Sequence, residues 1–299
     1  MKLKRRKANN EPLPWSITET ELLLTEIRNN GFNSLRLLNL FPKRTLPSIR
    51  SKVRKLRINL DFFGDSYRVA KEKFTQEIAN KAKPKKVFEA YAGAGHQTFK
   101  WIESAEVVFA ADNIKSKLKQ FRVEAKKNGF IYKGVFGKWR LFQKGEKEIF
   151  YFTGDAVKAA AELNSKDVKI DTIDLDTCGS TLPTLSYFLL MLKPKHLIIT
   201  HGEFHSMRFK REDVLRRLFL HRDVNKNPLP LSVDKMSKEL DKAVKIAGLR
   251  SHNDTTRSFW PILKKEVWLG GKFHGMLRRY YKISKPKATA DSLNYLAIN

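Results

Sequence analysis

The chain has 299 residues, 41% of them apolar and including 20 Phe, 5 Trp and 8 Tyr, enough for one large domain or a small and a medium one with real cores. Its 59 Lys and Arg against 31 Asp and Glu leave a net charge of +28, which implies a polyanionic partner, with nucleic acid the leading candidate and a lysine-rich solubilising surface the alternative. A single cysteine excludes an intrachain disulfide framework or a Cys-based zinc site, and no metal is expected; the longest apolar run, 185–192, is too short to cross a bilayer.

In chain order, residues 1–12 form a basic arm with Lys2, Lys4, Arg5, Arg6 and Lys7 and little to bury, so disorder is expected. No apolar stretch follows it, so it is not read as a secretory signal, and the expectation is a soluble intracellular protein, cytoplasmic or nucleoid/nuclear. Residues 13–58 read as a three-helix unit. Ser16 or Thr18 can cap a first helix with Glu19 and Glu21 in its first turn, Leu22, Leu23 and Ile27 at helical spacing, and Gly31 at its end. Leu35, Leu37 and Leu38 suggest a short second helix. Ser48 can cap a third, 49–57, in which Ile49, Val53 and Leu56 face inward while Arg50, Lys52, Arg54, Lys55 and Arg57 face out.

Pro14-Trp15-Ser16, Glu21-Leu22-Leu23, the Pro42-x-Arg44 turn and the run from Ile49 to Leu56 resemble the Myb/SANT-like family of three-helix modules. The resemblance covers 13–58. It implies a third helix in the DNA major groove, with Arg44, Arg50, Lys52, Arg54 and Lys55 as nucleic-acid contacts. An aromatic usual before the second helix's apolar pair is absent; Leu37-Leu38 occupy that stretch. The other reading is a generic helical cap with a solvated basic face.

Residues 59–84 suggest a connecting helix ending before Pro84, and from Lys85 strands alternate with helices, the signature of a parallel sheet. Strands are predicted at 86–90, 106–111, 149–153, 170–175 and 196–200, helices at 96–103, 114–127, 156–164, 182–192 and 234–247, and an antiparallel pair at 257–263 and 274–283. The segment 128–152 interleaves Phe130, Tyr132, Phe136, Trp139 and Phe142 with Lys133, Lys138, Arg140 and Lys144. It reads equally as a platform for unpaired bases or as a hairpin with one aromatic face in the core. A second basic patch, 207–222, includes Arg208, Lys210 and Arg211 and reads as a nucleic-acid track or a plain charge run.

The most specific pattern is Glu89-Ala90-Tyr91-Ala92-Gly93-Ala94-Gly95 after the first strand, followed by a second strand ending on Asp112. Glycines there let the backbone approach a ligand closely, and an acid at the next strand tip can hold ribose hydroxyls. With Gly154-Asp155-Ala156 and the run Ile173-Asp174-Leu175-Asp176-Thr177-Cys178-Gly179, the order resembles the class I S-adenosylmethionine-dependent methyltransferases over 85–284. The resemblance implies an α/β fold: a Rossmann-like methyltransferase sheet with a terminal antiparallel strand, here preceded by a small three-helix domain and carrying basic insertions near 128–150 and 205–232. It implies S-adenosyl-L-methionine held by Glu89, Tyr91, Ala92, Gly93, Gly95, Asp112, Asn113, Asp155, Ala156 and Asp174. Tyr91 stands where many members have another glycine.

The fourth motif is closest to the Asp-Leu-Asp-Pro-aromatic-Gly loop of tRNA guanine-N2 methyltransferases, but Thr177 and Cys178 depart at the proline and aromatic positions. Asp176 is the first candidate to take a proton from a base amino group, with Asp174 behind it in the strand and Cys178 a nucleophile candidate for carbon methylation. A helix-capping aspartate and a buried small thiol are their structural alternatives. His201, Glu203 and His205 follow a strand end, where loops line the ligand crevice. Lys138, Arg140, Arg208, Lys210 and Arg211 are expected to track the polyanion. The reading is a methyltransferase of a nucleic-acid base, DNA ahead of RNA. The alternative is a non-catalytic DNA-binding protein with a degenerate cofactor-binding fold, and a third reading is a methyltransferase of a nucleic-acid-associated protein.

Overall fold

The computed structural model describes residues 14–30, 34–56, 64–177, 179–204, 232–250, 259–269 and 276–284. The arm 1–12, Gly31, Arg57, Cys178, His205, Arg208, Lys210 and Arg211 lie outside the described residues. The chain divides into two compact units, Met1–Val69 and Ala70–Asn299.

The first unit holds α1 (Ile17–Asn30), α2 (Ser34–Leu40) and α3 (Leu46–Lys55). Ser16 caps α1: its Oγ accepts from the Glu19 amide at 3.0 Å while its own amide donates to Glu19 Oε2 at 2.9 Å, a reciprocal capping box. Leu23, Ile27, Leu37, Phe41, Ile49 and Val53 form the core, with the Trp15 ring edge-on to Phe41 at 5.5 Å. Leu22 is exposed, so the apolar stripe of α1 is narrower than its spacing suggests. The predicted start of α3 is corrected. Thr45, not Ser48, caps it, because Thr45 Oγ1 accepts from the Ser48 amide at 3.3 Å. Pro47 then falls in the first turn, where its missing N–H costs nothing.

A helix, α4 (Gly64–Ala82), leads into β1 (Lys86–Ala90), α5 (His96–Ser104), β2 (Val107–Asp112) and α6 (Lys115–Lys127). Then come β3 (Ile131–Phe136), β4 (Trp139–Lys144), β5 (Lys147–Thr153) and α7 (Ala156–Ser165). The chain continues through β6 (Thr172–Leu175), α8 (Leu182–Leu192), β7 (His196–His201), α9 (Val233–Arg250), β8 (Trp260–Leu269) and β9 (Met276–Ser284).

Among the described residues the strands form a nine-stranded sheet in the order β3-β4-β5-β2-β1-β6-β7-β9-β8. Strands β5, β2, β1, β6 and β7 run parallel, while β4 and β9 are antiparallel to their inner neighbours. The strand order reverses direction at β1, so the crevice beyond the carboxyl ends of β1 and β6 is where such sheets bind ligands. Successive side chains point to opposite faces. Val87, Val108, Ile149 and Ile198 pack with Phe74, Trp101 and Phe121 on the side of α4, α5 and α6. Phe88, Ala111, Ile173 and Leu197 pack with Ala160, Phe188 and Leu240 on the side of α7, α8 and α9.

Two expectations are refined. The segment 128–152 becomes an antiparallel meander that buries Phe130, Trp139 and Phe142, as the hairpin reading expects, and leaves Tyr132 and Phe136 exposed. The C-terminal pair lies at 260–269 and 276–284, and β9 inserts between β7 and β8.

Candidate active site

The turn after β1 is built on positive backbone φ: Tyr91 at 66°, Gly93 at 57° and Gly95 at 88°. A Cβ on Gly95 would lie 2.5 Å from the Phe121 ring, so only glycine fits there. No heavy atom lies within 4 Å of the position a Cβ on Gly93 would take, so the backbone there borders open space. Asp112, at the tip of β2, gathers this turn. Its Oδ2 accepts from the Gly93 amide at 2.9 Å, and its Oδ1 accepts from the Ile114 amide at 2.8 Å, which folds the chain around exposed Asn113. Each carboxylate oxygen has a second lone pair, so Asp112 retains acceptor capacity for a ligand's hydroxyls. Tyr151 donates its hydroxyl to the Gly93 carbonyl at 3.0 Å, and the Ala92 amide donates to Ala111 at 3.0 Å. Exposed Asp155 caps α7 by accepting from the Lys158 amide at 3.0 Å; Ala156 behind it is buried. The Gly154 amide bonds the Asp112 carbonyl at 2.9 Å, tying this corner to the glycine turn. Burial raises the pKa of the half-buried Tyr91 hydroxyl against a hydrogen bond with Thr184.

Beside the turn lies a buried charge cluster. Glu89 and Asp174 are register partners on β1 and β6, on the same face. Asp174 Oδ2 accepts from Trp101 Nε1 at 2.8 Å and from Arg278 Nη2 at 2.6 Å. Arg278, on β9 and fully buried, also donates to Thr200 at 2.7 Å and Thr75 at 3.1 Å, and Thr75 in turn donates to Gln97 at 2.6 Å. The Thr98 hydroxyl donates to Glu89. Asp176, just past β6, pairs with Lys71 of α4 at 2.7 Å and lies 3.7 Å from Arg278.

Three carboxyls therefore share two cations. Burial, followed by the negative charge of Asp174, holds Glu89 well above the ordinary carboxylate range. A proton on Glu89 leaves Asp174 and Asp176 balanced by Arg278 and Lys71. Burial also raises Asp174, with Arg278 pulling it back and Asp176 pushing it up. Burial opposes ionisation of Asp176 as well, but Lys71 and then Arg278 outweigh it and the net direction is down. Lys71 and Arg278 thus favour the ionised form of this largely buried carboxyl.

The loop beyond Asp176 is clamped from β7. The Gly202 amide donates to Gly179 at 3.1 Å, and the Ser180 hydroxyl donates to Glu203. Glu203 lies 3.5 Å from His201 Nδ1, and both side chains are buried. Glu203 therefore braces the loop through Ser180, while neither ring nitrogen of His201 has a hydrogen-bond partner among the described residues.

The structure brings together Glu89, Asp174 and Asp176 in one cluster, and Gly93, Asp112 and Gly154 in another. Among the basic residues, Arg44 is engaged within its own unit. Its side chain is 7% exposed, donates to Glu19 at 2.7 and 2.9 Å and to the Pro14 carbonyl at 2.7 Å, and lies 4.7 Å over the Trp15 ring. It braces the first unit instead of projecting from it. Arg50 is exposed on α3, Lys52 is half-buried 5.9 Å from the Trp15 ring, and Arg54 and Lys55 lie on the same helix. Lys138 is exposed in the β3–β4 turn, and half-buried Arg140 donates to Thr153 at 3.2 Å. Lys71, Trp101 and Arg278 were missed by sequence reasoning. One signal existed: adjacent Arg278 and Arg279 in a strand must point to opposite faces, and helices cover both.

The sheet order, the glycine turn and the inserted antiparallel strand are those of the Rossmann-like methyltransferase fold. No protein-family model matches the sequence, and no curated protein matches it. The chain is similar in structure to Trm1 from Pyrococcus horikoshii, solved with S-adenosyl-L-methionine, at a TM-score of 0.60 and 16% identity over 75% of this chain and 57% of that one. It thus spans somewhat over half the length of that protein. Weaker similarities include the O-methyltransferase from Bacillus cereus in complex with SAH, at TM-score 0.44 and 11% identity over 71% of this chain and 80% of that one. Another is the M. jannaschii tRNA m1G37 methyltransferase, at TM-score 0.41 and 12% identity over 72% and 49%. Of these three, the first carries the structural argument, and what it shows is the fold.

Proposed function

We propose that the chain is a methyltransferase that uses S-adenosyl-L-methionine to modify a base of a nucleic acid, DNA ahead of RNA, with the α1–α3 unit as its anchor. The observation that carries this reading is the pairing of the two clusters at one sheet end: a glycine turn held by Asp112, and an ionised Asp176 directly after β6. The donor set suits a nucleoside ligand, because Asp112 keeps acceptor capacity and the Gly93 backbone borders open space. Gly93, Asp112 and Asp155 would hold the cofactor, which when bound supplies an electrophilic methyl group. Asp176 accepts the proton that a base amino group sheds. Lys71 and Arg278 keep that carboxylate ionised and aimed, and the Ser180–Glu203 contact fixes the loop that borders the base. A base inside a duplex must leave its stack to reach this crevice. The net charge of +28 and the exposed Arg50 of α3 support a nucleic-acid substrate.

A second reading, a cofactor-sensing DNA-binding protein without turnover, is favoured by one observation: Lys71 already occupies the Asp176 carboxylate. Incubation with methyl-labelled cofactor and separate DNA, RNA and protein fractions tests both. Label is expected in a nucleic-acid fraction. Asp112→Ala is expected to lose cofactor binding by calorimetry, and Asp176→Asn to keep binding while losing transfer. Cofactor binding with no label in any fraction selects the second reading. Full activity in Asp176→Asn overturns the assignment of that residue.

A further inference from the structure

The sheet's outer edge carries an unusual surface. Of the twelve large apolar residues exposed among the described residues, four fall within β3: Ile131, Tyr132, Val135 and Phe136, each 44–63% exposed. Among the described residues β3 pairs on one side only, with β4, and its register shifts between Tyr132 and Gly134, a bulge that places Lys133 out of phase. Soluble proteins normally blunt such an edge with charge or proline. Here the aromatics are retained and the charges beside them are positive: exposed Lys133 and Lys138 on the hairpin, and Arg122 of α6 with its guanidinium 5.4 Å over the Tyr132 ring. The acid near the turn, Glu162, is engaged by Trp139 Nε1 at 3.1 Å and Lys166 at 2.9 Å.

The register places this surface relative to the crevice. Phe136 pairs with Trp139, Trp139 with Phe152, and Phe152 with Ala111 beside Asp112. The turn after Phe136 therefore lies at the same end of the sheet as the Gly93 turn. It stands three strand spacings from β2, roughly 14 Å.

We infer that the Tyr132–Lys138 edge is a binding track for an unpaired polynucleotide strand that crosses the edge, with Tyr132 as a stacking site on the α6 face beside Arg122, Phe136 as one on the opposite face, and Lys133, Lys138 and Arg122 at the phosphates. Charge complementarity selects this occupant over a second copy of the chain, which would bring another strongly basic edge to the same place. Aromatic faces stack on any base, and flanking cations hold the backbone without reading sequence. The track leads a strand towards the crevice, and it deepens the proposed function, on whose nucleic-acid substrate it rests.

The test uses the full chain without cofactor, so its outcome is independent of methyl transfer. Fluorescence anisotropy is measured with labelled single-stranded DNA, single-stranded RNA and the matching duplexes, at several salt concentrations. Phe136→Ala and Tyr132→Ala are expected to weaken single-strand binding at least about fivefold each and duplex binding little. Lys138→Ala is expected to weaken both and to lower the salt slope by about one. Tyr187→Ala, at an exposed aromatic on α8, is the control and is expected to change nothing. The two single-strand arms show whether deoxyribose or ribose is preferred. Equal losses on single strand and duplex, or no loss in either aromatic variant, overturn the track while leaving the nucleic-acid reading standing. Failure of the unmodified chain to bind any polynucleotide overturns both. Self-association in sedimentation that Val135→Lys abolishes, with strand binding unchanged, makes the edge a contact between copies and overturns the track.

Discussion

Arg278→Met tests whether the buried cluster is held by its guanidinium. The substitution keeps most of the side-chain volume and removes the donors to Asp174, Thr200 and Thr75. Asp174 would then retain Trp101 as its donor while remaining fully buried beside Asp176. Removing one partner of a buried ion pair costs about 3–5 kcal/mol, because the other charge stays desolvated. For a unit of this size each kcal/mol moves the midpoint by about 2–4 °C, so the melting temperature should fall by roughly 6–20 °C. The double variant Arg278→Met/Asp174→Asn removes the stranded charge as well and should recover up to about 3 kcal/mol of the loss. Calorimetry and urea unfolding of the four proteins complete the cycle. A loss under about 1 kcal/mol in Arg278→Met, or simple additivity in the double variant, would refute the cluster as a charge-balanced unit.

Further expectations follow from the same geometry. Glu89→Gln mimics a protonated carboxyl, so at neutral pH its stability should lie within about 0.5 kcal/mol of the parent or above it. A carboxyl whose folded pKa is raised contributes stability fully present below its ordinary value of 4.5 and lost as pH rises through the folded value. Urea midpoints across pH should therefore decline with rising pH in that window and flatten in Glu89→Gln; an unchanged slope would sink the assignment. Asp176 has the opposite sign. Its lowered pKa gives stability present above the ordinary 3.8 and lost as pH falls through the folded value, and Asp176→Asn should remove that acid-side loss. Gly95→Ala meets both a left-handed φ of 88° and the Phe121 ring at 2.5 Å, and should cost about 2–5 kcal/mol in denaturant unfolding. Gly93→Ala meets only the backbone penalty, about 1–2 kcal/mol, and equal losses in the two variants would contradict the packing argument.

What could be read from the sequence was what is local. The β1 strand, its glycine turn and Asp112 lie within a short stretch whose periodicity and turn chemistry have one good solution. The β9 strand was placed within two residues at its start because its apolar run is bounded by a glycine-rich connection. The start of α3 is misplaced by the sequence because serine and threonine compete as caps, and the hydroxyl that reaches an amide is that of Thr45. The hairpin is ambiguous because alternation says that one face is buried but not which aromatics occupy it; among the described residues β3 lies at the sheet's edge. The partners of the carboxylates were out of reach. Lys71 meets Asp176 across 105 positions, and Arg278 meets Thr75 across 203. Nothing in a local window announces a charge pair closed by tertiary packing. Arg44 adds a second case, a basic residue paired with an acid of its own unit, Glu19, 25 positions away.

The insertion of β9 between β7 and β8 has a consequence for biogenesis. Arg278 follows Asp174 by 104 residues, so during synthesis at about 5–20 residues per second the acidic centre waits roughly 5–20 s for its guanidinium. During that interval β1, β6 and β7 can pair, but the carboxyls between them lack their main counter-charge. Such an intermediate is expected to keep these groups protonated or in contact with water. The crevice thus reaches its final electrostatic form only when β9 closes the sheet, and a chain cut short before that strand would emerge with an incomplete centre.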